Sequence, residues 1–363
     1  MKTIKFFFKS LWQNTCILLE KQKCWYALII LLMSLVIAIS PMLSSGYMSN
    51  VNGLFNSNID TAIDKGLVDF ANDLNADNDI IIEAGEVTGT GDFAAKNIID
   101  DGSVVKPNAI YTHKAKVYNE ETKQDEIKEF TTLRVFVINI DSSNSVGQKQ
   151  LEEFLKTSVY QVDSLKPEVP GVIQSNFLIF CNNTVHGSFY KANAKDVNEK
   201  AVGSITGKFT EKVFNGTYKL SDMKYNNRNI EKGPANEKTI KANFIQFFND
   251  GYTPVRITNT WVQTGIYTSI NFCVAFFAGL TFWAFSRSRS SIKKYTFIES
   301  QKIAWIMCLS PAIASAVISV LIPSFGVFSF LLIISFRVMN AVSKINGKYN
   351  QDQNNEPVYK ARQ

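Results

Sequence analysis

A run of acidic and amide side chains, DLNADNDIIIEA, spaces its oxygen atoms as a calcium-binding loop does. The residues at the first, third, fifth and seventh positions are Asp73, Asn75, Asp77 and Asp79. The sixth position of such a loop needs glycine for its sharp turn, and the twelfth supplies a bidentate carboxylate. Here these positions hold Asn78 and Ala84, and Glu83 comes one residue early. The pattern therefore favours a helix end, a polar turn and a strand over a calcium site.

Two other patterns point only weakly to chemistry. GTGDFAAK, Gly89 to Lys96, has two glycines before a possible helix but lacks the third glycine of a dinucleotide site. We predict a turn with Asp92 as a helix N-cap. The two histidines, His113 and His186, stand in strand-like surroundings without a nucleophile motif or metal-ligand spacing. We therefore assign no catalytic residue, no cofactor-binding residue and no metal ligand, and we expect a protein that is not an enzyme.

The elements that carry these residues alternate between apolar blocks and polar stretches. Residues 24–43 contain no charge, and a helix of that length crosses a hydrocarbon layer of roughly 30 Å. A secretory signal has an apolar stretch of only about 7 to 15 residues. The stretch here is longer, follows a polar lead-in and precedes further apolar blocks, so it predicts a retained anchor. The alternative is a signal peptide cleaved near Ser44.

Charge predicts the orientation of this integral membrane protein. Residues 1–23, 286–302 and the tail are each net basic, and an excess of Lys and Arg beside spans marks the cytoplasmic side. The predicted fold is a four-helix transmembrane bundle, one N-terminal span and three C-terminal, with a large inserted extracytoplasmic α/β (α+β) domain. The predicted layout is a cytoplasmic amphipathic segment (1–23), transmembrane helix 1 (24–43), the extracytoplasmic domain (44–262), transmembrane helix 2 (263–285), a basic cytoplasmic loop (286–302), transmembrane helix 3 (303–322), a short transmembrane helix 4 (325–342) and a cytoplasmic polar tail (343–363).

The sequence of the extracytoplasmic region predicts both helices and strands. Helical periodicity runs through NIDTAIDKGLVDFANDLN and through EKTIKANFIQFFNDG, which Gly251 is expected to close as a C-cap. NAIYTHKAKVYN, LRVFVINID and NFLIFC are rich in β-branched and aromatic residues and predict strands. Cys181 is the only cysteine of the region, so the domain needs its own apolar core rather than an internal disulfide. Asn182 and Asn215 match the glycosylation pattern, as chance allows in an Asn-rich chain.

The membrane part carries small residues four apart in three spans. They are Ser34 and Ala38, Ala275 and Gly279, and Ala304, Cys308, Ala312 and Ala316. Such stripes allow close helix packing in lipid, within the chain or between copies in a homo-oligomer. Pro311 is expected to kink the third span, and Pro323 to mark a hairpin. Arg337 is expected to snorkel from the fourth span to the interface.

The segment IKFFFKSLWQNTCILLEK has the spacing of an amphipathic helix with a basic polar side. Two interpretations stay open. The helix lies flat on an anionic membrane surface, or it packs on a partner or on the 286–302 loop.

Two stretches carry a resemblance to a known family. They are FFFKSLWQNTCILLEKQKCWYALIILLMSLVIAISPML and SIKKYTFIESQKIAWIMCLSPAI, and VFVINIDSSNSVG adds a strand ending in an aspartate. The chain resembles a poorly characterised membrane-protein family of low-GC Gram-positive bacteria, often labelled maltodextrin utilisation protein. The family has no established reaction, so the resemblance implies only an association with carbohydrate uptake. Abundant Lys and Asn suit an AT-rich genome such as a mollicute's.

These features lead to one expected function and one rival. We expect a non-enzymatic polytopic protein of the plasma membrane whose external domain binds an envelope partner, as an accessory component of an uptake system. No nucleic acid and no cofactor are expected. The rival is a surface structural or adhesion protein, and an envelope enzyme is a third class.

Overall fold

The computed structural model describes residues 6, 8–11, 13–19, 23–55, 63–98, 104–119, 123–160, 176–190, 203–287, 294–322 and 325–345. The chain divides into two compact units. The helical unit comprises residues 1–48 and 257–363, and the α/β unit comprises residues 49–256. The predicted domain boundaries, 44 and 262, therefore lie a few residues outside the α/β unit, because apolar composition does not show where a helix ends once it leaves the apolar stretch.

The helices follow one another along the chain with these bounds. They are α1 (Asn14–Leu19), α2 (Cys24–Met48), α3 (Ile63–Asp73), α4 (Ser145–Phe154), α5 (Glu237–Ser286), α6 (Phe297–Met307), α7 (Leu309–Leu321) and α8 (Gly326–Ile345). Among the described residues, four helical segments are long and apolar enough to cross a membrane: α2, α5, α6 with α7, and α8. The predicted fourth span, residues 325–342, corresponds to α8, which has 20 residues and so extends about 30 Å.

The helix α5 runs for 50 residues and passes through Gly251 and Pro254. The prediction of a helix end at Gly251 is therefore wrong. A Cβ atom at this position would lie 3.6 Å from the Cα atom of Gly207 and 3.6 Å from the ring of Phe209. These are ordinary contact distances, so residue 251 itself does not need glycine. A Cβ atom on Gly207 would instead lie 3.3 Å from the backbone carbonyl carbon of Gly251, so the glycine on β7 is the one that lets strand and helix approach closely.

The small residues of the apolar helices face the interior of the helical unit, which confirms the predicted packing. Ser34, Ala38, Ala275, Ala304, Cys308 and Ala312 are all buried, whereas Ala316 is half-buried. A Cβ atom on Gly279 would lie 2.5 Å from the side chain of Gln301, so this glycine lets α5 and α6 approach closely. The proposed hairpin residue Pro323 lies outside the described residues.

The strands of the α/β unit form two sheets. Their bounds are β1 (Ile80–Glu83), β2 (Glu86–Gly89), β3 (Ala109–Asn119), β4 (Gln124–Val137), β5 (Phe177–Phe180), β6 (Thr184–Phe189), β7 (Gly203–Lys208) and β8 (Thr217–Lys219). The larger sheet has the order β3-β4-β5-β6-β7, in which only β4 and β5 run parallel. The smaller sheet has the order β2-β1-β8 and is antiparallel.

The strands predicted from NAIYTHKAKVYN, LRVFVINID and NFLIFC are confirmed as β3, β4 and β5. Side chains of a strand alternate between the two faces of a sheet. Val135 and Val137 accordingly join a core with α3 and α5, and Phe136 joins a second core with α4. The α/β class predicted from the sequence is therefore present, with a core on each face of the larger sheet.

The N-terminal segment packs within the helical unit, where Ile17 and Leu18 are buried. The hydroxyl of Tyr295 donates a hydrogen bond to the carbonyl oxygen of Leu18 at 3.1 Å. Tyr295 belongs to the 286–302 segment, so the structure supports the packed interpretation of this segment. Phe7 and Trp12 of the predicted apolar side lie outside the described residues.

The guanidinium of Arg337 is held by hydrogen bonds within the helical unit, and its reach to the membrane interface stays a prediction. The guanidinium is half-buried and bonds to Asn14, Met307, Ser310 and the carbonyl oxygen of Ser10. The physical reason is that the neighbouring segments offer carbonyl and hydroxyl oxygens that a guanidinium fork can reach without leaving the protein.

Candidate functional site

The acidic run at residues 73–79 forms the helix end, polar turn and strand that its sequence favours. The Oδ1 atom of Asn75 accepts from the backbone N–H groups of Asp77 and Asn78. The buried carboxylate of Asp79 accepts from the backbone N–H of Ser221 at 2.9 Å and from its hydroxyl at 2.6 Å. These oxygens therefore fix a turn. Among the described residues, no group of three or more His, Cys, Asp or Glu is placed to hold a metal ion.

The glycine-containing stretch at residues 89–96 packs against that same turn. Gly91–Phe93 form a 3₁₀ turn whose N-cap is Thr90, so the assignment of Asp92 as N-cap is wrong. The hydroxyl of Thr90 accepts from the backbone N–H of Asp79 at 2.9 Å, and the backbone N–H of Asp92 donates to Oδ1 of Asn78 at 3.0 Å. Gly91 has φ +57°, and a Cβ there would lie 1.9 Å from that Oδ1 atom. The two candidate motifs thus stabilise one pair of turns.

The two histidines lie on different strands with different surroundings. His186, on β6, is half-buried, and its Nε2 atom lies 3.0 Å from the hydroxyl of Thr184. Burial lowers the pKa of His186 to about 4. The adjacent Cys181 is buried, and burial raises the pKa of its thiol to about 12. The Cys181 thiol is therefore a poor nucleophile, because thiol reactivity needs a thiolate.

The aspartate that ends VFVINID also has a structural role. Asp141 accepts hydrogen bonds from the hydroxyl and backbone N–H of Ser143 and from the side chain of Asn144. These bonds hold the pKa of the Asp141 carboxyl below its usual value, the bond from the Ser143 side chain contributing most. Asn144 is the N-cap of α4, and its Oδ1 accepts from the backbone N–H of Gly147 at 2.8 Å. The loop therefore sets the start of the helix that connects the two parallel strands.

The second histidine, His113, lies in a groove of about 470 Å³ on the α/β unit. We call it the charged groove. Its lining residues are Asp64, Lys65, Val68, Asp69, His113, Glu237, Lys238 and Lys241. Helix α3 supplies one wall, β3 supplies His113, and the first turns of α5 supply the other wall. Its volume is within the range of about 300 to 1,000 Å³ that is typical of ligand sites.

The cations of the charged groove have different partners. Lys241 forms an ion pair with Asp64, with 2.5 Å between Nζ and Oδ2. Lys65 instead places its Nζ atom 2.7 Å from Nε2 of His113. Because an ammonium group only donates, the imidazole must accept at Nε2 in this arrangement. The groove therefore offers both signs of charge to a partner.

Sequence reasoning identified His113 but missed the other residues of the charged groove. The available signal was the pairing of charges at helical spacing on α3 and on the first turns of α5, as in Asp64 and Lys65 against Lys238 and Lys241. That signal is also typical of any solvated helix face. Only the packing of α3 beside α5 makes it a groove.

Comparisons with models of known protein families, with curated proteins and with solved structures gave no match to this chain. Over the part of the chain that the structure describes, four helical segments are long and apolar enough to cross a membrane, and the α/β unit follows the first of them and includes the first turns of the second.

Proposed function

We propose that this chain is a multi-pass membrane protein whose α/β unit lies outside the cytoplasm and binds a protein partner in the cell envelope. The N-terminal segment, the 286–302 loop and the tail would be cytoplasmic, in keeping with their net positive charge. The proposal assigns the chain no reaction of its own. A transporter to which it is accessory, including one for carbohydrate, is the partner that we favour.

The observation that carries this proposal is the pairing of the two chain connections of the α/β unit. The guanidinium of Arg256, the last residue of the unit, donates to the carbonyl oxygen of Ser49, its first residue, at 2.7 Å. Asn249 strengthens the pairing, because its side chain accepts from the backbone N–H of Val51 at 2.9 Å and donates to Asn52 at 2.8 Å.

Within the helical unit, the same two connections also lie side by side. A Cβ atom on Gly46 would be 2.5 Å from the hydroxyl oxygen of Thr260. A domain joined to the membrane helices through two chain connections can report its state to both of them, whereas a surface-display protein needs only one anchor. This pairing favours a role in which binding outside affects the membrane helices.

Orientation is tested with single cysteines in a cysteine-free chain and a membrane-impermeant maleimide on intact cells. We expect Ile127→Cys, at an exposed position of β4, to react in intact cells. Lys294→Cys, at an exposed position before α6, should react only after the cells are permeabilised. The reverse pattern would refute the proposed orientation.

Partner binding is tested by photo-crosslinking in intact cells followed by mass spectrometry. A photoreactive amino acid in place of Lys238 probes the charged groove, and the same substitution at Val146, which is 66% exposed, is the matched control. We expect the groove position to capture a transporter component, and Lys65→Glu to abolish the capture. Capture of a host or neighbouring-cell surface protein would favour adhesion instead. Equal capture at both positions would contradict a specific groove.

A further inference from the structure

A row of polar contacts joins the N-terminal segment to the last turns of α8. Arg337 donates to Oδ1 of Asn14 at 2.8 Å and to the carbonyl oxygen of Ser10. Further along α8, Asn14 donates to Asn340 at 3.4 Å, and Lys344 donates to the hydroxyl of Thr15 at 3.3 Å. We call this surface the basic seam. Its residues are Ser10, Asn14 and Thr15 on one side and Arg337, Asn340 and Lys344 on the other.

A proline leaves one backbone carbonyl oxygen beside Arg337 without its usual hydrogen-bond donor. In a helix, the carbonyl oxygen of Met307 would accept from the backbone N–H of the residue four positions later, but that residue is Pro311, which has none. Arg337 supplies the missing donor at 3.0 Å and also donates to the hydroxyl of Ser310 at 2.5 Å. The guanidinium is therefore fixed between α8, the junction of α6 and α7, and the N-terminal segment.

The protein oxygens around the basic seam are uncharged. They are carbonyl, amide and hydroxyl oxygens, yet the seam contains two cations, Arg337 and Lys344. Among the described residues of the helical unit, the only carboxylate is that of Glu299, which closes a capping box with Thr296 at the start of α6. The described part of the unit thus provides no anion for the seam.

We propose that the basic seam binds the headgroup phosphate of an anionic phospholipid. Four of the five guanidinium N–H donors contact protein oxygens, and no described residue accepts from the fifth, so a phosphate oxygen can take it and compensate the charge. Lys344 lies two turns further along α8, one residue before its end at Ile345. In the proposed orientation this end faces the cytoplasmic leaflet, where anionic lipids are concentrated.

The test uses the full chain reconstituted in nanodiscs of phosphatidylcholine alone or mixed with phosphatidylglycerol. A ligand that binds only the folded state raises its stability, so we expect phosphatidylglycerol to raise the unfolding temperature of the wild type. Native mass spectrometry should also show retained phosphatidylglycerol. Arg337→Gln should lose both effects, and Lys344→Gln should reduce them. The matched control, Lys294→Gln, removes an exposed cation outside the seam and should keep both.

Three outcomes would overturn the proposal. The first is that phosphatidylglycerol raises the unfolding temperature of Lys344→Gln as much as that of the wild type. This result would refute the proposal even if Arg337→Gln does not fold. The second is an equal shift with inorganic phosphate in detergent, which would identify a soluble anion as the ligand. The third outcome combines two results: phosphatidylglycerol does not change the unfolding temperature of the wild type, and Glu20→Gln destabilises the chain as much as Arg337→Gln does. Together they would show that the charge compensating Arg337 lies within the protein.

Discussion

Acidification should destabilise the α/β unit through His186. The imidazole is half-buried on β6, between β5 and β7, and its nitrogens face the hydroxyl groups of Thr184 and Thr206 at 3.0 and 3.4 Å. Burial lowers the pKa of His186 from 6.5 to about 4. The folded state therefore binds this proton less readily than the unfolded state does.

The sign and the size of the effect follow from proton linkage. Above pH 6.5 the histidine is neutral in both states, and its contribution to stability is fully present. Between pH 6.5 and 4 the unfolded state takes up the proton first, so the free energy of unfolding falls as the pH falls. Each pKa unit corresponds to about 1.4 kcal/mol, which gives a loss of about 3 kcal/mol by pH 4 as an upper bound, because the side chain retains some contact with water.

Hydrogen exchange measures this loss on the full chain in mild detergent. The exchange of peptides from β5 and β6, corrected for the intrinsic rate at each pH, gives the opening free energy at pH 7 and pH 4.5. His186→Gln cannot take up the proton and should remove most of the difference between the two pH values. His113→Gln still contains His186 and should keep it. If wild type and His186→Gln lose stability in parallel, burial of His186 does not control the acid sensitivity.

Two further predictions concern packing in the α/β unit. Phe70 is fully buried, so Phe70→Ala should lower the free energy of unfolding by about 3 to 5 kcal/mol. The control Ile127→Ala, at a site 70% exposed, should change it by less than about 0.5 kcal/mol. Urea unfolding measures both variants. Gly147→Ala would bring a Cβ to 1.8 Å from the carbonyl oxygen of Asp141 and should cost about 1 to 3 kcal/mol. Its neighbour Val146→Ala should be nearly neutral in the same assay, and equal losses would contradict the packing argument.

The sequence alone determined the elements whose signals are local. Long apolar runs located the candidate membrane helices of the described chain, because crossing hydrocarbon requires a length and a composition that can be counted. Alternation and β-branched content located β3, β4 and β5 and placed both histidines on strands. Missing ligand positions were enough to favour a structural turn over a calcium loop at Asp79.

Tertiary structure alone decided the features that depend on residues far apart in the chain. Gly251 lies inside a helix that packs on Gly207, and a sequence window around either glycine contains no trace of the other. Arg337 donates to the carbonyl oxygen of Met307, which Pro311, on another helix, leaves without its helical donor. Close packing and hydrogen-bond satisfaction are properties of neighbours in space, whereas periodicity and composition report only neighbours along the chain.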